Sequence, residues 1–267
     1  MRFVDLDIQS NLSSGTSSIE EIAKFAEQLG FSSIVICDVW QGMGKLHELK
    51  EKITEAQKLV KVEILPGTKI QANNVGELKH ALEQVREQVV VVAVAGGDYD
   101  VNRAACEDSR VDLLAHPEFN RRDNGLDEAC LNAASKNNVA IEINFRELLG
   151  TYRKSRAIML EKIGTNVRLC QELGVKMAVS SGAQSVWEMR DPRELVSIAN
   201  ILGMELAASF ATVADIPSWI VERNKQKLTG KVVADGIEIV NITERSEAKD
   251  MTAQPAAKDS EKGEKNG

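Results

Sequence analysis

The feature that most constrains the fold of this 267-residue chain is the regular spacing of its strand-like runs. They begin near Phe3, Ile34, Glu63, Val89, Val111, Val139, Lys176 and Leu206, at intervals of 31, 29, 26, 22, 28, 37 and 30 residues. Each interval has room for one strand and one crossover helix, which is what a parallel strand pair requires. Helical periodicity fills the gaps. Ile19, Ile22, Ala23, Ala26 and Leu29 recur at three- and four-residue spacing, as do Leu126, Ala129, Cys130, Ala133 and Ala134. Eight such units predict an α/β fold, a (β/α) TIM-like barrel. An open dinucleotide-binding sheet is disfavoured, since no GxGxxG follows the first strand.

Helix boundaries support the same reading. Ser18 with Glu21 forms a capping box before the first helix, and Gly30 follows it as a left-handed stop. Asp191-Pro192-Arg193-Glu194 starts a helix with proline at its first position, and Gly203 ends it. One barrel domain over residues 1–243 accounts for the patterned sequence, with a turn and strand around Asp235-Gly236 appended to it. From Glu244 to Gly267 the chain is polar, with five basic and six acidic residues and almost no large apolar groups. Such a segment cannot offset its ordering entropy, so a disordered tail is expected over 244–267.

Charge and composition narrow the function classes. A net charge of −7 repels nucleic acid at long range, so any RNA contact must be a local basic patch. No signal-like or membrane-length apolar run is present, and a cytoplasmic location is expected. Four cysteines, at 37, 106, 130 and 170, show neither CxxC nor zinc-like spacing, and read as reduced, buried thiols.

In a parallel barrel, chemistry sits at the C-terminal ends of the strands. Those positions carry Asp5, Asp7 and Gln9, then Asp38, Lys69, His116, Glu142 and Asn144, and finally Ser180, Ser181 and Gly182. A hydrolytic metal barrel needs several imidazoles and carboxylates converging on its ions. Only three histidines exist, and His47 and His80 fall on amphipathic helices. His116 therefore stands alone, either for acid–base or phosphate contact or as a structural residue. Asp7, Asp38 and Glu142 read better as loop caps and ion-pair partners than as ligands of a weak ion. The residues predict neither a catalytic set nor a metal site. Ser180, Ser181 and Gly182 form a candidate anion cradle, although a turn explains them equally. Gly96-Gly97 is a weaker phosphate signal, better explained as a tight connection.

The most basic stretch is NFRELLGTYRKSR, from Asn144 to Arg156. It sets Arg146, Arg153, Lys154 and Arg156 against Glu147, with Tyr152 as a candidate stacking ring. Arg121 and Arg122, in the loop after His116, extend the patch. A solvated basic loop and an RNA-contacting loop are both compatible with this pattern.

Several segments together resemble one family. VDLLAHPE, NGLDEACLNAASKNNVAIEINFRELL and MAVSSGAQSVWEMRDPRELVSIANILGM, with RFVDLDIQSN and LGFSSIVI near the start, are similar to ribonuclease P protein component 3, the archaeal and eukaryotic thirty-kilodalton subunit. The similarity runs from residue 1 to about 240 in order. It implies a barrel related to the PHP metallohydrolases, serving in the ribonucleoprotein endonuclease that removes the 5′ leader of precursor tRNA. In that family the RNA carries catalysis with Mg2+, so the resemblance implies no cofactor on this chain and no catalytic residue in it. It also implies ribonuclease P RNA as a partner, precursor tRNA through the holoenzyme, and a small ferredoxin-like subunit in a heterotetramer. Where a PHP enzyme has an HxH pair ending its first strand, this chain has Asp7 and Gln9. Family RNA contacts are basic loop residues, matched here by Arg121, Arg122, Arg146, Arg153, Lys154 and Arg156. A PHP-like metal-dependent phosphoesterase and a small-molecule barrel enzyme using Ser180 to Gly182 are the alternatives.

Overall fold

The computed structural model describes residues 1–229 and the backbone of 232–234 and 237–238. Seven strands form one all-parallel sheet in sequence order: β1 (Val4–Ile8), β2 (Ser33–Val39), β3 (Glu63–Ile70), β4 (Val91–Ala95), β5 (Leu113–Ala115), β6 (Ala140–Asn144) and β7 (Met177–Ser180). The crossover helices are α1 (Ile19–Leu29), α2 (Met43–Gln57), α3 (Val75–Val85), α4 (Tyr99–Glu107), α5 (Glu128–Asn137), and the pair α6 (Phe145–Leu149) and α7 (Arg153–Glu172). Strands of this kind read as near-continuous apolar runs because both faces are covered, and VVAVA in β4 is the clearest case.

The eighth unit differs from the sequence expectation. The run at Leu206 is not a strand but a short helix, α9 (Leu206–Ala211), following α8 (Pro192–Ile201). The burial pattern gives the reason: Leu206 faces solvent while Ser209 and Thr212 are buried, the reverse of a strand feeding an apolar core. Thr212 and Val213 then fill the eighth position with single hydrogen bonds. Val4 N–H donates to the Val213 carbonyl at 3.0 Å, and Val179 N–H to that of Thr212 at 3.0 Å. At the other end of the seam, Gln9 N–H donates to the Ala183 carbonyl at 2.9 Å, so β1 and β7 are joined across an almost closed barrel.

Two apolar layers hold this arrangement. One lies between the strands and the helices, drawing on Ile22, Ile34, Leu78, Leu114, Leu131 and Ile141. The other is the barrel interior, built from Val4, Leu6, Val35, Leu65, Val91 and Leu113 and stoppered by Ile220 and Val221 of α10 (Asp215–Leu228). Because α10 seals the N-terminal end, the C-terminal ends of the strands are the open face. Asp112, fully buried at the sealed end, accepts from Arg86 at 2.6 Å and Arg223 at 2.8 Å.

Both sequence-derived capping boxes form. Ser18 accepts from Glu21 N–H while Glu21 accepts from Ser18 N–H, and Asp191 with Glu194 does the same around Pro192. Gly30 stops α1 at φ 86°. The appended turn is an antiparallel pair, β8 (Val232–Ala234) with β9 (Ile237–Glu238). The expected domain end at 243 and the tail over 244–267 lie outside the described residues. Among those described, no helix is long and apolar enough to cross a membrane.

Candidate functional site

The strand ends place a compact polar cluster inside the barrel mouth. Alternation sends Lys69 of β3 and Glu142 and Asn144 of β6 into the barrel interior. A register irregularity in β1 between Asp5 and Ile8 brings Asp7 to them although Val4 and Leu6 also point inward, with Asp5 buried close by. Lys69 donates to Asp7 in a salt bridge whose two side chains are almost wholly inaccessible. Asn144 Nδ2 donates to Glu142 at 3.0 Å, and Ser180 donates its hydroxyl proton to Glu142. Ser181 N–H donates to Asp5 at 3.1 Å.

Electrostatics follow from burial. Loss of water pushes the Asp5 carboxyl up to about 7 despite the Ser181 bonds that oppose it. Burial, reinforced by the Asp7 charge, takes Glu142 to about 8, so it is protonated at neutral pH. Burial works against the Lys69 ammonium, but the charge of Asp7 and its hydrogen bond, helped by Glu142 where that group is ionised, outweigh it and hold the pKa above its ordinary value. His116 is pulled down to about 4 by burial and by the Lys69 charge, and is neutral. The mouth is thus largely self-neutralised: one ammonium sits on one carboxylate, and burial drives the neighbouring carboxyls of Asp5 and Glu142 towards their protonated forms.

That arrangement bears on metal chemistry. An ammonium already occupies Asp7, the nearest candidate ligand, and no group of three or more His, Cys, Asp or Glu side chains suited to a metal exists among the described residues. Asp38 is likewise committed, accepting from Ser10 N–H at 2.6 Å, Ser10 Oγ at 2.6 Å and Ser13 Oγ at 2.9 Å. The residues present do not fit a hydrolytic metal centre.

Ser180, Ser181 and Gly182 are turned inward. Both serines are fully buried, and the Ser181 hydroxyl accepts from Ala183 N–H at 3.2 Å. Gly182 has φ 62°, and a Cβ there would lie 2.2 Å from Asn144 Oδ1, so glycine is required for close packing. Gly96 has a similar role: a Cβ would meet Pro117 Cα at 2.6 Å. His47 and His80 are exposed on α2 and α3, and all four cysteines are buried and unpaired. Cys37 lies within β2.

The basic residues divide into two groups. Arg121 is spent internally, pairing with Asp123 at 2.5 Å and donating to the Gly97 carbonyl at 3.0 Å. Arg146 pairs with Glu188 at 3.2 Å. Arg122, Arg153, Lys154 and Arg156 are exposed and make no salt bridge among the described residues, although Arg156 Nε donates to the Thr151 carbonyl at 2.7 Å. Three of these four open α7, whose N-cap, Tyr152, supplies no side-chain bond and whose first turn has no acid. Tyr152 itself is 71% exposed, and Trp187, in the segment after β7, is 83% exposed. Trp187 and the Lys69–Asp7 pairing were not singled out from sequence, and only the aromatic identity of Trp187 offered a signal.

The comparisons with known proteins agree with this geometry. A chain in the cryo-EM structure of archaeal ribonuclease P with mature tRNA superposes with a TM-score of 0.76 at 26% identity, covering 88% of this chain and 98% of that one. A zinc-complexed histidinol phosphate phosphatase from Lactococcus lactis matches at 0.55 and 11% identity, covering 76% and 95%, which extends the shared barrel to the metal-dependent hydrolases in fold alone. Curated relatives named ribonuclease P protein component 3 include those of Methanothermobacter thermautotrophicus, 29% identical over 90% of this chain and 96% of the relative, and Methanococcoides burtonii, 32% identical over 89% and 93%. The family model described as RNase P subunit p30 matches residues 2–229, which span the barrel from β1 through α10, and the chain therefore belongs to the RNase P subunit p30 family.

Proposed function

We propose that this chain is a protein subunit of ribonuclease P, the endoribonuclease that removes the 5′ leader of precursor tRNA, and that it supports the catalytic RNA without carrying the chemistry. The observation that carries this reading is the near-complete correspondence with a chain of the archaeal ribonuclease P structure, over 98% of that chain. The site geometry supports the division of labour. The barrel mouth has its cation bound to its anion, so it offers no metal-activated nucleophile. The start of α7, in contrast, offers free backbone N–H groups together with Arg153, Lys154 and Arg156. An uncapped helix N-terminus flanked by cations supports phosphate binding, and the exposed ring of Tyr152 beside it supports stacking on a base. Arg122 extends the same surface, whereas Arg146 is held by Glu188.

The reading includes ribonuclease P RNA as the direct partner, precursor tRNA reached through the holoenzyme, Mg2+ held by the RNA rather than by this chain, and a cytoplasmic site of action. It also includes a small ferredoxin-like subunit as a protein partner, in a heterotetramer of two copies of each. Purification of the tagged full-length chain tests the proposal. One structured RNA should accompany it, and the purified particle should cleave precursor tRNA. The chain alone should neither cleave that substrate nor hydrolyse a simple phosphoester, with or without added divalent metal. Metal-dependent turnover by the RNA-free chain, lost on replacing Asp7 or His116, would favour a phosphoesterase instead.

A further inference from the structure

The barrel mouth retains a cavity of about 160 Å3 that the ribonuclease P reading leaves unused. Its lining includes His116, Phe119, Asn144, Gln9, Gln71 and Gln184, with Gln71 and Phe119 at the exposed rim. Two atoms in this lining are buried without a hydrogen-bond partner: Asn144 Oδ1 and His116 Nδ1. Asn144 is only 3% exposed, and because its Nδ2 donates to Glu142 and Asp7, its oxygen, packed beside Gly182, is left as an acceptor without a donor. His116 is held at φ 37°, a left-handed conformation uncommon for any residue but glycine, with its ring edge-on to Phe119 at 5.3 Å between centroids. A buried acceptor without a donor is costly, and backbone strain of this kind persists only where surrounding structure imposes it.

The charges around the cavity decide which chemistry it takes. Lys69 is bound to Asp7 and Arg146 to Glu188, while the Glu147 carboxyl also lines the space. An anion would find no uncommitted cation there, and a divalent metal would meet the Lys69 ammonium. A neutral, flat ring that presents N–H donors on one edge and a face to Phe119 satisfies every feature. We infer that the cavity receives a single unstacked nucleobase bearing an exocyclic amino group (adenine, cytosine or guanine) from a single-stranded RNA segment. Its amino edge donates to Asn144 and His116, and the amide of Gln71 at the rim and the mutually bonded Gln9–Gln184 pair border the remaining edge positions. This is the way splayed-out bases are held elsewhere, by stacking and by edge hydrogen bonds. The inference rests on the RNA-subunit reading and adds to it a specific pocket.

The test uses the full-length chain and short single-stranded RNAs of equal length: oligo-A, oligo-C, oligo-U and an abasic strand with the same backbone charge. Stacking one base is worth about 1–3 kcal/mol, or roughly 5- to 150-fold in affinity. Oligo-A and oligo-C should therefore bind at least fivefold more tightly than the abasic strand, with oligo-U between them. Phe119→Ala, which empties the rim, and Gln71→Trp, which fills it, should each bring oligo-A to the abasic level while retaining the melting temperature. Adenosine monophosphate alone should bind far more weakly than oligo-A; equal affinity would make the ligand a free nucleotide and overturn the inference. Equal binding of all four strands, with normal salt dependence, would mean the cavity holds only water, leaving the RNA-subunit reading intact. Loss of binding to every strand and to ribonuclease P RNA would remove that reading as well.

Discussion

The barrel mouth and the start of α7 are both polar and both face the open end of the fold, yet they handle charge in opposite ways. Inside the mouth, Lys69 and Asp7 neutralise each other and the remaining carboxyls are driven towards their protonated forms. Around Tyr152, three cations are displayed on a helix start that has neither a cap nor an acid to balance them. A cationic first turn is unfavourable for the helix dipole by some tenths of a kcal/mol, so folding alone does not explain it. The comparison teaches that one end of a barrel can hold a buried, internally paired polar cluster beside a rim whose cations are left unbalanced.

The largest effect should come from breaking the internal pair. Lys69→Met leaves the Asp7 charge buried without a partner and should cost about 3–5 kcal/mol in unfolding free energy, read by denaturant titration. The same measurement on Arg153→Ala should change stability by no more than about 0.5 kcal/mol. Similar costs for the two would dissolve the distinction between the regions.

The pH dependence should follow the same division. Asp5, Glu118 and Glu142 have carboxyls raised by burial to about 7, 7 and 8. A carboxyl whose pKa rises on folding binds its proton more tightly in the native state. Its contribution is complete below the unfolded value near 4 and is lost as pH rises through the folded value. His116, lowered to about 4, has the opposite sign: its contribution is present above 6.5 and is lost as pH falls through 4. Between pH 6.5 and 8.5 the carboxyls dominate, so the melting temperature should fall. Asp5→Asn combined with Glu142→Gln should flatten that fall, whereas a melting temperature rising across the window would contradict the burial argument.

A smaller effect separates Arg121 from its neighbour. Arg121 is tied to Asp123 and Gly97, so Arg121→Ala should lower stability slightly, by about 1 kcal/mol or less, and leave RNA affinity unchanged. Arg122→Ala should do the reverse, weakening RNA binding by one phosphate contact with no change in melting temperature. Equal losses of RNA affinity would place both on the binding surface.

Much of the fold was legible in the sequence. Seven of the eight strand-like runs are strands, and both capping boxes form where Ser18 and Asp191 signalled them. The failure at Leu206 has a local cause: a short run of small apolar residues suits a buried strand and a short helix equally, and only the placement of Ser209 and Thr212 against the barrel settles it. The candidate site was legible in its residue types and not in its pairings. Lys69 and Asp7 are 62 positions apart and meet only because β1 and β3 point into one layer. Likewise, nothing in the sequence distinguishes Arg121, which turns back onto Asp123, from the exposed Arg122.

The proposed RNA-binding role rests most directly on the cations at the α7 start meeting RNA phosphates. The measurement is the affinity of the full chain for ribonuclease P RNA across a salt series, for the wild type and for Arg153, Lys154 and Arg156 together replaced by alanine. Each phosphate contact contributes about 0.7 to 0.9 to the slope of log affinity against log salt. The triple variant should therefore bind more weakly at low salt, with a slope shallower by about 2 to 3, and approach the wild type as salt rises, while circular dichroism shows an unchanged fold. Superimposable or parallel salt curves would show that this surface does not bind the RNA, and would contradict the account.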